Sequence, residues 1–361
     1  MDNAAVAEPA GQDPAARSEP AENGGPGALA LDAPVFVAGH RGLVGSAVWR
    51  YLAGRGHVGL IGRTSAELDL RERDDVFDFF ATTRPEYVVL AAARVGGIVA
   101  NATRPADFLS DNVRIQTSVL DAAARFGVRR LLFLGSSCVY PKHAPQPITE
   151  DALLTGPLEA TNDAYAIAKI AGLLQVQALR RQYGCSFISA MPTNLYGPGD
   201  NFDLETSHVL PALIRRFHEA ASGGAPQVRL WGTGSPRREF LHVDDLARAC
   251  VRLLERYDDP APINVGTSHD VTIRELADTV ARVVGYAGAI EWDSSKPDGT
   301  PRKLIDSSRL HRLGWRPRID LADGIRSTYA WYRSGPAQRR DGGSDRESRL
   351  EHSEGTACQP A

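Results

Sequence analysis

The stretch Pro34-Val-Phe-Val-Ala-Gly-His-Arg-Gly-Leu-Val-Gly45 limits the possible folds more than any other feature. A short apolar run breaks into a loop with glycines at 39, 42 and 45, then passes directly into the helical stretch Ser46-Ala-Val-Trp-Arg-Tyr-Leu52. A strand, a tight turn and a helix in immediate succession open a βαβ unit, and the same rhythm recurs along the chain. Strand candidates at Val35–Ala38, Val58–Ile61, Tyr87–Ala91, Arg130–Leu134, Ser186–Met191 and Ile263–Val265 alternate with helical stretches. The fold class expected is α/β: a Rossmann-type doubly wound parallel sheet with right-handed crossovers. From about Gly197 the rhythm loosens into longer loops, which predicts a smaller C-terminal substrate-binding lobe over 197–333, interleaved with the sheet of 34–196. Residues 1–33 and 334–361 are rich in small residues and charges without periodicity and read as disordered extensions.

Glycine in the first loop lets backbone amides approach a pyrophosphate held at the positive N-terminus of the following helix. Gly39, His40, Arg41, Gly42, Leu43, Val44 and Gly45 are therefore candidate dinucleotide contacts. The rings of His40, His143 and His242 read as structural. The spacing is GxxGxxG where the general dinucleotide fingerprint is GxGxxG. The second strand ends at Gly62-Arg63-Thr64 with no acid placed to bind a ribose 2′-hydroxyl. Arg63 and Arg41 suit a 2′-phosphate, so NADPH is the expected cofactor, the other reading of Arg63 being a solvated surface charge. Ligands in such a sheet lie at the carboxyl ends of the strands. This adds Leu134, Gly135, Ser136 and Ser137 after the fourth strand, and Pro192, Thr193, Asn194 and Leu195 after the fifth. The small residues Ala91 to Gly97 after the third leave room for the dinucleotide.

Tyr165-Ala-Ile-Ala-Lys169 sets a phenol and an ammonium one helical turn apart on one face. A lysine charge stabilises phenolate, so the pair can move a proton near neutral pH alongside a hydride.

Composition excludes more than it selects. The chain has 361 residues with 43% hydrophobic side chains and a net charge of −3, and its central part is only mildly basic, which suits nucleotides and is too little for nucleic acid. Cys138, Cys185, Cys250 and Cys358 show no CxxC and no metal-ligand spacing, as in a cytoplasmic enzyme with reduced thiols and no metal. No apolar run is long enough for a membrane span.

The glycine loop, Ser136, Tyr165 and Lys169 resemble the extended short-chain dehydrogenase/reductase superfamily, which acts on nucleotide-activated sugars. More narrowly, Gly39–Gly45, Gly135-Ser-Ser-Cys-Val-Tyr-Pro141, Asn201-Phe-Asp-Leu-Glu-Thr-Ser-His208 and Arg237-Arg-Glu-Phe-Leu-His-Val-Asp-Asp245 resemble the GDP-L-fucose synthase family. These are NADPH-dependent GDP-4-keto-6-deoxy-D-mannose 3,5-epimerase/4-reductases. The resemblance covers about 34–333 and implies a homodimer. It implies Cys138 as epimerisation base, His208 as acid and cofactor contact, Tyr165 as proton donor in reduction, and Ser136 on the developing alkoxide. Lys169 would hold the nicotinamide ribose and lower the Tyr165 pKa. Arg216, Trp231, Arg238, Asp298 and Lys303 would hold the GDP moiety. Ser65 stands where some relatives are expected to carry a second basic residue. Two other readings are a UDP-hexose 4-epimerase with tightly bound NAD, which needs no Cys/His pair, and a dinucleotide-sensing protein without catalysis.

Overall fold

The computed structural model describes residues 27–204, 206–296 and 298–335. In chain order the first part comprises β1 (Val35–Ala38), α1 (Leu43–Gly54), β2 (Leu60–Ile61), α2 (Arg73–Thr83), β3 (Tyr87–Leu90), α3 (Ile98–Thr103), α4 (Pro105–Arg125), β4 (Arg130–Leu134), α5 (Asp163–Tyr183) and β5 (Phe187–Pro192). The second comprises β6 (Asn194–Tyr196), α6 (Val209–Ser222), β7 (Gln227–Trp231), β8 (Arg237–His242), α7 (Val243–Arg256), β9 (Ile263–Val265), β10 (Asp270–Thr272), α8 (Ile273–Val284), β11 (Ala289–Asp293), β12 (Arg302–Lys303), α9 (Ser308–Arg312) and α10 (Leu321–Arg333).

The six strand candidates form one parallel sheet in the order β2-β1-β3-β4-β5-β9. Every residue of β1, β3, β4 and β5 is buried, as parallel strands covered on both faces require. Alternate side chains feed two cores. Val35, Val37, Val89 and Leu132 meet α1 and α7 through Val48, Leu52, Leu246 and Val251. Phe36, Val88, Leu131 and Phe133 meet α2, α4 and α5 through Phe80, Leu120, Leu173 and Val176. The chain changes direction across the sheet between β1 and β3, the switch point at which such folds open a crevice.

Two boundaries differ from expectation. Residues 27–33 are not part of an extension: Leu29 and Ala33 are buried in the α1/α7 core, and the Val58 N–H donates to the Leu31 carbonyl at 2.8 Å. This pairing takes up the chain before Leu60, so β2 has two residues where four were expected, with Val58 turned to solvent. At the other end Ser334 caps α10, its N–H donating to the Ala330 carbonyl at 3.2 Å, and the rest of both expected extensions, 1–26 and 336–361, lies outside the described residues.

Beyond β5 the chain builds a second, smaller core from Tyr196, Phe202, Ile214, Phe217, Leu276, Val280 and Ile325. Its centre is β8, paired antiparallel with β10 and parallel with β12 and β6, while β7 pairs with β11. Only Thr193 separates β5 of the large sheet from β6 of the small one, so the two sheets meet at the carboxyl ends of the large one.

Candidate active site

The glycine loop is shaped as a phosphate cradle. Gly39 has φ +82°, and a Cβ there would stand 2.9 Å from the Ala92 backbone. At Gly45 a Cβ would stand only 2.1 Å from the Gly39 carbonyl oxygen, so loop and helix press together where no side chain fits. Gly42 caps α1 without a side-chain hydrogen bond, and the first turn carries no acid, which leaves the positive helix end open to an anion. The His40 ring lies under Gly62 and 5.6 Å from the Trp49 ring. Burial, then the Arg41 charge, lowers its pKa and keeps it neutral. Arg63 donates to the Gly62 carbonyl at 2.8 Å and lies over Phe79.

An acid that the sequence reading passed over sits here. Glu67 accepts from the Thr64 N–H at 2.7 Å and its hydroxyl at 2.8 Å. Those bonds, with smaller contributions from Arg63 and Arg41, lower its pKa. The Thr64-x-x-Glu67 spacing of a capping box was the available signal.

At the carboxyl end of β4 the chain turns through a single 3₁₀ turn, Ser137–Val139, and the Cys138 N–H donates to Ser136 Oγ at 3.2 Å. Cys138 Sγ receives Asn162 Nδ2 at 3.2 Å and Lys303 Nζ at 3.6 Å. Burial opposes ionisation of this thiol, but the Lys303 charge and hydrogen bonds from Ser136, Lys303 and Asn162 outweigh it and hold the pKa below the ordinary thiol value. Tyr165 and Lys169 rise beside it on the first turns of α5. Burial pushes the Tyr165 hydroxyl well up, the Cys138 charge adds to this, and a Ser136 hydrogen bond opposes it.

Lys169 Nζ donates to the Leu134 carbonyl at 2.9 Å, 5.8 Å from the centre of the Tyr165 ring, and burial lowers its pKa to about 8. The ammonium is anchored on that carbonyl and lies over the phenol ring, while burial favours the protonated form of Tyr165.

The structure thus brings together Ser136, Cys138, Tyr165, Lys169 and one expected GDP contact, Lys303. His208 lies on a different element. It precedes α6 without capping it, and its pKa is lowered by desolvation. Its loop is tied to the start of α3, where the Gly97 N–H donates to the Thr206 carbonyl at 2.8 Å. Of the other expected GDP contacts, Arg238 is the β8 partner of Lys303, and its charge interacts with Cys138 and Glu159. Arg216 lies half-buried on α6, while its neighbour Arg215 pairs with Glu219 at 2.8 Å. Trp231 ends β7 with 64% of its surface exposed, so it is not core. Asp298 accepts from the Thr233 N–H and hydroxyl at 2.9 and 2.7 Å and so holds the loop after β7. Gly135 packs against Met191, Leu134 and Ser137 are buried, and Thr193 and Asn194 donate to the Glu239 carbonyl at 3.3 and 2.8 Å. Pro192 ends β5, and Leu195 packs on the α1/α7 core.

Asn162 was missed because asparagine ahead of a helix reads as a cap. Asn112, also unread, fixes the loop after β3: it accepts from the Arg94 N–H at 2.9 Å and donates to the Arg94 carbonyl at 3.0 Å.

Comparison with known proteins agrees with this geometry. Residues 35–266 match the NAD dependent epimerase/dehydratase family. The probable GDP-L-fucose synthase 1 of Oryza sativa subsp. japonica is 62% identical over 299 residues, covering 82% of this chain and 91% of the relative. The GDP-L-fucose synthase of Escherichia coli K12 is 56% identical over 307 residues, covering 82% and 96%. The NADP-bound crystal structure of a GDP-L-fucose synthetase from Naegleria fowleri superposes with a TM-score of 0.79 at 31% identity, covering 86% of this chain and 95% of that one. The strand-end thiol, the Tyr/Lys helix and these identities over most of both chains together show that the chain belongs to the GDP-L-fucose synthase group of the NAD dependent epimerase/dehydratase family.

Proposed function

We propose that this chain converts GDP-4-keto-6-deoxy-D-mannose to GDP-L-fucose by 3,5-epimerisation and 4-keto reduction in one site, with NADPH as cofactor. The observation that carries this reading is the juxtaposition of an ionisable thiol, Cys138, with the Ser136–Tyr165 pair at one strand end. A UDP-hexose 4-epimerase uses the latter and has no work for the former, and a dinucleotide sensor needs neither. Residues 39–45, the open end of α1, Arg41 and Arg63 fit a phosphorylated dinucleotide, which supplies the hydride for C4.

A 4-keto group acidifies the hydrogens on C3 and C5. The Cys138 thiolate takes the C3 proton: the C–H bond breaks, S–H forms, and the electron pair moves onto the ketone oxygen. His208, in its protonated form, returns a proton to the opposite face, and the same exchange at C5 follows after Cys138 has released its proton to solvent and His208 has taken one up from it. Ser136 holds the ketone oxygen, and Tyr165, kept protonated by burial, gives its proton as charge develops there during reduction. Arg238, Arg216, Trp231 and Asp298 lie on the second-lobe side, where the GDP moiety would be held.

A homodimer and a cytoplasmic location complete the reading. Leu109 on α4 and Ile167 and Leu174 on α5 are exposed apolar residues on two long helices that pack together, a face suited to a second copy. Cys138, Cys185 and Cys250 are free thiols, and no helix among the described residues is long and apolar enough to cross a membrane.

The test is incubation with GDP-4-keto-6-deoxy-D-mannose and NADPH. Expected are stoichiometric NADPH oxidation and GDP-L-fucose as product. Interconversion of UDP-hexoses without net NADPH consumption would establish the 4-epimerase instead, and NADPH binding with no turnover of either sugar would establish the sensor.

A further inference from the structure

We propose that Lys303, with Asn162, is the positioning pair that keeps Cys138 in its thiolate form, so that Lys303 serves epimerisation and not the GDP diphosphate. The inference rests on the reading of Cys138 as the epimerisation base. Its first support is geometric: Lys303 Nζ and Asn162 Nδ2 both donate to Cys138 Sγ, at 3.6 and 3.2 Å. A sulfur that receives two N–H donors, one of them charged, is arranged to bear charge.

The second support is that both donors are diverted or held for the purpose. Asn162 occupies the N-cap position of α5, where its side chain would ordinarily accept a first-turn amide, yet it makes no capping bond. Its Oδ1 is buried without a hydrogen-bond partner, so its amide is oriented by the thiol at the expense of the helix and of its own oxygen. Lys303 lies on a two-residue strand of charged side chains that has no propensity to form alone. It is pinned by pairing with β8 and by the next two amides, the Leu304 N–H donating to Gln146 Oε1 at 2.8 Å and the Ile305 N–H to Glu239 Oε2 at 3.2 Å.

The other ionisable groups near the thiol do not supply the counter-charge so directly. Arg238 from β8 interacts with Cys138 at longer range and donates from Nη1 to the Arg237 carbonyl at 2.8 Å. Lys142 is paired with Glu159 at 3.0 Å, and Arg302 with Asp270. Tyr165 from α5 is uncharged. Cys138, Lys142, Glu159, Thr300 and Lys303 line a small cavity beside the sulfur, which offers its proton a way out between the two inversions. Lys303 itself transfers nothing.

The test is alkylation of the full-length protein by iodoacetamide across pH 5 to 10, with modification of Cys138 and Cys185 followed separately by peptide mass spectrometry. The wild-type Cys138 midpoint should lie below the ordinary thiol value of about 8.5. Lys303→Met should raise it by at least about one unit, which lowers the thiolate fraction about tenfold near pH 7. Lys303→Arg should preserve it, Asn162→Ala should shift it by less, and Cys185 should stay unmoved in every variant. Lys303→Gln should shift it as Met does, which covers the case where the Met variant fails to fold. Deuterium exchange at substrate C3 and C5 should fall in Lys303→Met and recover as pH rises. An unmoved Cys138 midpoint in both uncharged variants, with a raised KM for the GDP-sugar, would return Lys303 to the diphosphate and overturn the proposal. A shifted midpoint combined with wild-type exchange in Cys138→Ser would leave the Lys303–Cys138 coupling standing and remove Cys138 as the base.

Discussion

In the proposed mechanism Cys138 and Tyr165 act on different hydrogens of one substrate, so single substitutions should separate their steps. In deuterium oxide, Tyr165→Phe is expected to keep exchanging C3 and C5 hydrogens while NADPH oxidation drops by about a hundredfold or more, the scale for losing a positioned acid. Cys138→Ser should suppress the exchange first and starve the reduction of its correctly configured ketone; exchange at the wild-type rate would assign the base elsewhere. A second separation concerns the cofactor. Arg63→Ala should raise the KM for NADPH much more than that for NADH, because only one of them carries a 2′-phosphate. Equal effects would place Arg63 away from that phosphate. The spacing of Tyr165 and Lys169 was legible as chemistry in itself, Ser136 by its place after the fourth strand, and Cys138 only through resemblance to the family, since a lone buried thiol carries no signal of its own. Lys303 was legible only as a generic cation, since nothing local ties it to a thiol so distant in sequence. Asn162 was hidden behind the ordinary meaning of its position, and Glu67 behind the arginines it faces.

At the level of elements, the tightest fit is between the first loop and α1, where the Gly45 Cα faces the Gly39 carbonyl. Gly45→Ala should force the cradle open, weaken NADPH binding at least about tenfold and destabilise the fold by about 1–3 kcal/mol, the usual range for overpacking. Unchanged NADPH affinity by calorimetry would show that the loop does not hold the phosphates. The loop after β6 carries a different tension. Asp200 is buried with Oδ2 unpartnered, and burial raises its pKa to about 7. The folded protein therefore holds a proton that the unfolded chain releases between about pH 4 and 7, and stability falls as pH rises through that window by about 1.4 kcal/mol per unit. Asp200→Asn should remove this slope, so its stability advantage in urea unfolding grows from pH 4.5 to 7.5; a constant difference would mean that Asp200 ionises normally. The large sheet was legible because its strands are short apolar runs buried on both faces. The small one was not. β12 is Arg-Lys and half of β8 is Arg-Arg-Glu, elements that exist through pairing with distant chain and through partners for Glu239, which accepts from the Ser268 N–H at 2.7 Å.

On the scale of the whole molecule, the outward face of α4 and α5 is where a second copy should dock. Leu109→Glu with Leu174→Glu should yield a monomer by light scattering that still binds NADPH, whereas an unchanged mass would assign the contact to another face. The interleaving of the two lobes has a further effect that begins before any copy meets another. β9 closes the edge of the large sheet, and Asn264 within it receives the Tyr140 hydroxyl at 2.6 Å and donates to Glu150 and the Ile148 carbonyl at 3.0 Å. On the ribosome, β5 emerges with its outer edge bare, and β9 has not yet been translated. At about 5–20 residues per second, the interval between Pro192 and Ile263 lasts on the order of seconds, during which an apolar parallel sheet presents an open edge to other nascent chains. Vectorial synthesis must therefore deliver β6, α6, β7 and β8 of the second lobe before the first can be finished, and the nascent chain is most in need of a chaperone's cover just past its midpoint.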